Sequence, residues 1–196
     1  LINLANPGDE EALVQVVFQT PAEQVAPQEL EEVPVPAGSH VVLKVSDRLP
    51  RGTRHGTTVL STNGVAVVAE RLTRAASGGL RGFESVPGVT EASGRWSVQL
   101  GTPSGGAQQL ALVNTGRIDG QTAVAVVTPR GVVRPPELSA LVVGAGRQVT
   151  LDLSPWVGGE PALAVVEGSD GITPEGRVFV GDPYLDFADA PARPLD

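Results

Sequence analysis

Leu1-Ile2-Asn3-Leu4-Ala5-Asn6-Pro7-Gly8 opens the chain, and the same cadence returns as Leu110-Ala111-Leu112-Val113-Asn114-Thr115-Gly116. Each stretch runs into a valine-rich segment, Ala12-Leu13-Val14-Gln15-Val16-Val17 and Thr122-Ala123-Val124-Ala125-Val126-Val127. An Ala-Gly turn then feeds another apolar run, Ala37-Gly38-Ser39-His40-Val41-Val42-Leu43 against Ala145-Gly146-Arg147-Gln148-Val149-Thr150-Leu151. The pairs Asn6/Asn114, Ala37/Ala145, Gly38/Gly146, Val41/Val149 and Leu43/Leu151 share one spacing, although the segment after the Asn reads two residues longer in the second copy. Collinear landmarks over such a span mark an internal repeat, and a unit of roughly 100 residues matches the length of an immunoglobulin-like sandwich. The reading is an all-β protein of two tandem immunoglobulin-like β-sandwich domains arising from an internal duplication.

Composition narrows the function classes. The 196 residues are 41% hydrophobic and 18% charged, the balance of a globular chain. The apolar content is mostly Val, Ala and Leu, which suit pleated surfaces. A formal charge of -8 repels phosphate backbones, and no Lys/Arg run supplies a basic face, so nucleic acid is not an expected partner. With no Cys, disulfides and thiolate metal sites are excluded. With no Met, residue 1 is not a retained initiator, and the chain reads as a mature or excised piece of something longer. No apolar run reaches the about 18 residues of a membrane helix, so no membrane insertion is expected within this window, although the parent protein is allowed an anchor.

Valine-rich runs separated by Gly, Pro and Asn clusters predict strands near 1–6, 11–19, 29–35, 39–46, 55–61 and 64–73 in the first copy. In the second they fall near 95–100, 108–114, 121–128, 137–143, 147–153, 161–166 and 176–180. Asp47-Arg48-Leu49-Pro50 and Ser154-Pro155-Trp156-Val157 read as single helical turns with Asp or Ser as cap. Residues 75–94, rich in Gly, read as a linker, which gives a first sandwich over 1–74, a second over 95–188 and a frayed tail over 189–196. Arg95-Trp96-Ser97-Val98-Gln99-Leu100 is an extra leading strand whose counterpart would lie upstream of Leu1. Either the first sandwich lacks that strand, or the chain as given is cut through it, which is the stronger reading, or the Trp96 segment is shared between sheets. A sandwich without the strand exposes backbone donors and acceptors.

Few residues carry chemistry. His40 and His55 read as surface or turn histidines, and no Gly-x-Ser-x-Gly elbow accompanies them. Oxygen-rich loops at Glu167-Gly168-Ser169-Asp170-Gly171 and around Asp182, Asp186 and Asp189 lack the spacing of a calcium loop. Glu29, Glu31 and Glu32 cluster, but Glu31 and Glu32 are expected on opposite faces of a strand, as a charged edge. Trp156, Trp96 and Tyr184 are the side chains able to stack a sugar. Trp156 is the better candidate for exposure, although core or interdomain packing is the stronger reading for both tryptophans. No catalytic, cofactor-binding or metal residues are assigned, and the chain is not expected to be an enzyme.

Asn6-Pro7-Gly8, Val35-Pro36-Ala37-Gly38-Ser39, Leu60-Ser61-Thr62, Val67-Val68-Ala69-Glu70-Arg71 and the Trp96-x-x-x-Leu100-Gly101 opening resemble an uncharacterised family of exported actinobacterial β-sandwich proteins. The resemblance implies a secreted or extracytoplasmic, envelope-associated location and brings no catalytic residues; the second copy departs from it at Thr115 and at Glu175-Gly176-Arg177. The expected function is a non-catalytic module for spacing or protein–protein interaction at the bacterial cell envelope, its partner meeting loops or an open strand edge. A carbohydrate-binding module for envelope polysaccharide is the alternative, and a small carboxylate-dependent hydrolase the second alternative.

Overall fold

The computed structural model describes residues 1–77, 80–101, 107–158, 160–169, 171–180 and 186–195. Along most segments small or β-branched residues alternate with polar ones, which puts one face of an extended chain on a core and the other in water. In the first half this yields β1 (Ile2–Asn6), β2 (Ala12–Gln19), β3 (Gln24–Val25), β4 (Val33–Val35), β5 (Ser39–Leu43), β6 (Gly56–Ser61), β7 (Val68–Ser77) and β8 (Leu80–Pro87). One sheet has the order β5-β1-β7-β8; in the other, β2 pairs with β3, β4 and β6. The second half comprises β9 (Arg95–Leu100), β10 (Gln108–Asn114), β11 (Gly120–Thr128), β12 (Gly131–Val133), β13 (Leu141–Val143), β14 (Gln148–Asp152), the single turn α1 (Ser154–Val157), β15 (Ala162–Gly168), β16 (Ile172–Val180), β17 (Asp186–Pro191) and β18 (Arg193–Pro194). Its sheets run β14-β10-β16-β17 and β12-β11-β15-β9-β18, with β13 also on β11. All pairings are antiparallel, so the chain is all-β in several antiparallel sheets.

The two halves share the order of one sheet, β5-β1-β7-β8 against β14-β10-β16-β17, and the register at two strand pairs. Ile2↔Leu43 on β1 and β5 becomes Leu110↔Leu151 on β10 and β14. Ala12↔Val35 on β2 and β4 becomes Gly120↔Val143 on β11 and β13. Both steps are 108 residues, as is Asn6 to Asn114, so the two extra residues expected after Asn114 do not exist. The sequence hid this because β11 opens on Gly120 and Gln121, where β2 opens on Ala12 and Leu13. Each half also closes its own hydrophobic cluster. Ile2, Leu4, Val14, Val16, Phe18, Leu30 and Val35 belong to one. Trp96, Val98, Leu100, Leu110, Leu112, Leu138 and Val166 belong to the other.

One buried amide organises each half. Asn6 is 1% exposed; its Nδ2 donates to the carbonyls of Glu10 (2.7 Å) and Val35 (2.9 Å), and its Oδ1 accepts from the Gly8 N–H (3.0 Å). Asn114, also 1% exposed, donates to Ile118 (2.9 Å) and Val143 (2.8 Å) and accepts from Gly116 (2.8 Å). The side chain lies at the end of a strand of one sheet and satisfies a carbonyl at the end of a strand in the other. Only an amide offers two donors and an acceptor in this shape.

Several boundaries differ from expectation. Much of the 75–94 linker is strand: β7 runs to Ser77 and β8 returns antiparallel to it, so this glycine-rich stretch belongs to the first half's sheet. The segments expected as strands from 29 and 137 begin as 3-10 turns, Gln28–Leu30 and Pro136–Leu138, each entered through a proline at φ -65 or -62 that favours a tight turn. Glu31 and Glu32 therefore precede β4 and do not lie on opposite faces of a strand. The turn expected at 47–50 lies at Val45–Asp47, and α1 is capped by Leu153 without a side-chain bond. The tail is not frayed: Asp189 and Ala192 are buried, and β18 pairs with β9.

Replacing Asn6 or Asn114 by Ala leaves a buried carbonyl (Val35 or Val143) and a part-buried one (Glu10 or Ile118) without this donor. Each variant is expected to lose roughly 2 kcal/mol in urea unfolding. A loss under about 0.5 kcal/mol at either position would remove that amide from its organising role.

Candidate functional site

Charge is concentrated where the halves meet. On β7, Ala69 and Arg71 stand opposite Leu4 and Ile2, so Arg71 points inward at the end of the first half's interior. On β16, Glu175 and Arg177 alternate with the buried Pro174 and Gly176, so they lie on the outer face of the second half's sheet. Arg177 stands opposite Asp189 of β17. Arg71 donates to Glu175 through both terminal nitrogens, one contact at 2.7 Å, and to Asp189 at 2.8 Å. Arg177 donates to Asp189 through Nε and, at 2.8 Å, through Nη2. The Asp189 side chain has 0% exposure, and two guanidinium groups, those of Arg71 and Arg177, satisfy its oxygens. Burial alone favours loss of the Arg71 proton; hydrogen bonds and attraction from Glu175 and Asp189 outweigh it and raise the pKa.

Around this cluster the backbones approach closely. The Gln148 N–H donates to the Thr20 carbonyl at 3.1 Å. Gly56 lies so near β10 that a Cβ there would come within 2.6 Å of the Val113 methyl carbons. His55, expected as a surface or turn residue, is half-buried just before β6, with its ring edge-on to Phe18 at 5.4 Å between centroids. Burial pushes its pKa down to about 4, with Arg71 and Arg177 adding to the shift and the Gly56 carbonyl opposing it. His40 is exposed, opposite Ala5.

The remaining candidates scatter. Trp96 is 1% exposed, and its indole N–H donates to the Ser93 carbonyl at 2.7 Å, so its ring is core and presents no face to a sugar. Trp156 is half-buried and packs on the same core from α1. Tyr184, Asp170 and Asp182 lie outside the described residues. Asp189 is committed to arginines, and among the described residues no group of three or more His, Cys, Asp or Glu is placed to hold a metal ion. Glu29, Glu31 and Glu32 are exposed, with Glu29 3.4 Å from Arg48. Among the described residues no helix is long and apolar enough to cross a membrane.

In the sequence Arg71 and Glu175 stood out only as part of the family resemblance or a departure from it, and Asp189 only as a calcium candidate; nothing joined the three into one cluster. The available signal is the phase of β7: an arginine two residues after Ala69 falls on the inward face, where a charge needs a partner.

The halves differ at one sheet edge. In the second half β15 lies between β11 and β9, with Trp96, Val98 and Leu100 opposite Val166, Ala164 and Ala162. Val166 and Ala164 are then 1% and 0% exposed. In the first half β6 takes the same place beside β2, with Val59 opposite Val16 and Thr57 opposite Phe18. Its other edge has no hydrogen-bonded strand among the described residues. Thr57 and Val59 are accordingly only half-buried, and Leu60 is 55% exposed.

Two outcomes follow. Glu175→Gln leaves Arg71 short of a charged partner in a mostly buried site, and a loss of about 3 kcal/mol in stability is expected; an unchanged urea midpoint would contradict the clamp. His55 binds its proton more weakly folded than unfolded, so its contribution is complete above pH 6.5 and is lost as pH falls toward 4. His55→Phe should remove on the order of 2 kcal/mol of the parent's stability loss between pH 7 and 4, and identical pH profiles would refute this.

No curated protein and no solved structure matches the chain. A family model does match it, over residues 1–193. By that match the chain belongs to DUF5719, a family of unknown function.

Proposed function

We propose that this chain is a non-catalytic extracytoplasmic module for protein interaction at the bacterial cell envelope, built from a duplicated immunoglobulin-like unit, and that its first unit takes an extended segment of a protein partner along β6. The exported, actinobacterial character of the sequence resemblance is part of this reading. The observation that carries it is the edge of β6, unpaired among the described residues, beside its occupied counterpart β15. A strand edge presents backbone N–H and C=O groups at fixed intervals, so an incoming extended segment gains main-chain hydrogen bonds, while alternate side chains give selectivity. β9 supplies the pattern: polar residues outward, and Trp96, Val98 and Leu100 into the core. The seam supports a spacing role as well, because its buried acid and arginines join the two units.

A synthetic peptide of residues 93–101 tests the edge by amide hydrogen exchange. Saturating peptide is expected to slow exchange of the β6 amides roughly tenfold. Thr57→Lys, which sets a charge on the inward face of β6 where the apolar residues of the added strand would pack beside it, is expected to abolish that protection. Exchange in β6 that does not respond to the peptide would refute the reading.

A further inference from the structure

The outer face of the second half holds a groove of about 230 Å³ unrelated to the seam or the β6 edge. Its floor is Ala123, Ala125 and Val127 of β11 with Val165 of β15, all half-exposed and alternating with the core residues Val124, Val126 and Val166. At the matching positions of β2 the chain has Gln15, Val17 and Gln19, so the hollow exists because alanines and valine replace longer or polar side chains. Val132 of β12, 50% exposed, and Arg134 just after that strand rise along one rim. At the other rim Arg95 is held by Glu167 at 2.8 Å. Nearby Arg130 is likewise held by Glu160 at 3.1 Å, but Arg134 has no carboxylate partner among the described residues.

An apolar floor left in water and a guanidinium without a counter-charge are complementary to the same kind of molecule. Apolar surface favours burial at about 25 cal/mol per Å², and guanidinium pairs with carboxylate through two parallel hydrogen bonds. At formal charge -8 the chain as a whole repels anions, so a positive rim over an apolar hollow is a local reversal of sign. The volume lies below the roughly 300 Å³ at which pockets for drug-sized ligands begin, which limits the occupant to a short chain or one ring. We infer that this groove binds a small amphiphile, a carboxylate on a short apolar body, with the body on Ala123 and Ala125 and the head on Arg134. The inference stands apart from the strand-edge reading, and either can fail alone.

Titration with octanoate, followed by amide NMR shifts and calorimetry, tests it. Saturable shifts are expected at Ala123, Ala125 and Val165, with 1-octanol and acetate each binding at least about tenfold more weakly because one lacks the charge and the other the body. Arg134→Gln should bring octanoate down to the level of octanol. Ala123→Gln, which places in the groove the residue β2 carries at its matching position, should abolish binding in a protein whose circular dichroism is unchanged. Absence of saturable shifts overturns the proposal, as does octanol binding equal to octanoate or octanoate binding that survives both substitutions.

Discussion

Each half depends on a buried carboxamide that closes backbone hydrogen bonds between its two sheets. Antiparallel sheets satisfy their own donors and acceptors along the strands, but where a chain leaves one sheet for the other, carbonyls are stranded near the core. Asn6 and Asn114 meet them with the same three contacts, and the β1/β5 and β2/β4 registers recur at an offset of 108 residues in β10/β14 and β11/β13. Valine and leucine side chains, with Phe18 in one half and Trp96 in the other, then fill two interiors whose geometry is already set. An unsatisfied amide or carbonyl at that corner costs more than any one methyl in the cores, which is why the polar residue and the turn around it define the unit more sharply than the apolar positions do.

Joining two such units raises a second problem, since packing one sheet's outer face on another body removes water from polar surface. The solution here is ionic. Arg71 leaves the interior of the first half to meet Glu175 and Asp189, while Arg177 holds Asp189 from the other side. Arrangements of this sort favour one geometry over others by penalising every misaligned state, whether or not they add net stability. His55 sits beside this cluster with its pKa pushed down to about 4, so the stability it contributes is lost as pH falls from 6.5 toward 4.

Much of the fold was readable in the residues. The Asn turns, the Ala-Gly turns and the valine-rich runs led to β1, β2, β6, β9 and β10 within a residue or so, because alternation and turn chemistry are local signals. β8 was missed because Gly82, Pro87 and Gly88 give it the composition of a linker, and its strand character comes from pairing with β7. Pro27 and Pro135 turned expected strand starts into 3-10 turns. The seam was not readable, because the partnership of Arg71 with residues more than 100 positions away depends on how whole sheets meet. The unmatched Trp96 segment left open whether the first half lacks an edge strand, and the strand order places the edge that is unpaired among the described residues on β6.

The central claim is that each half closes its own interior and that the ionic seam couples them. Both tryptophans, Trp96 and Trp156, lie in the second half, so their fluorescence reports that half alone, while circular dichroism reports both. In urea the parent is expected to give coincident transitions by the two probes. In Arg71→Met the dichroism should fall ahead of the fluorescence, as the first half unfolds while the second remains folded. Transitions that still coincide in Arg71→Met, at a lowered midpoint, would show one shared core and contradict the account.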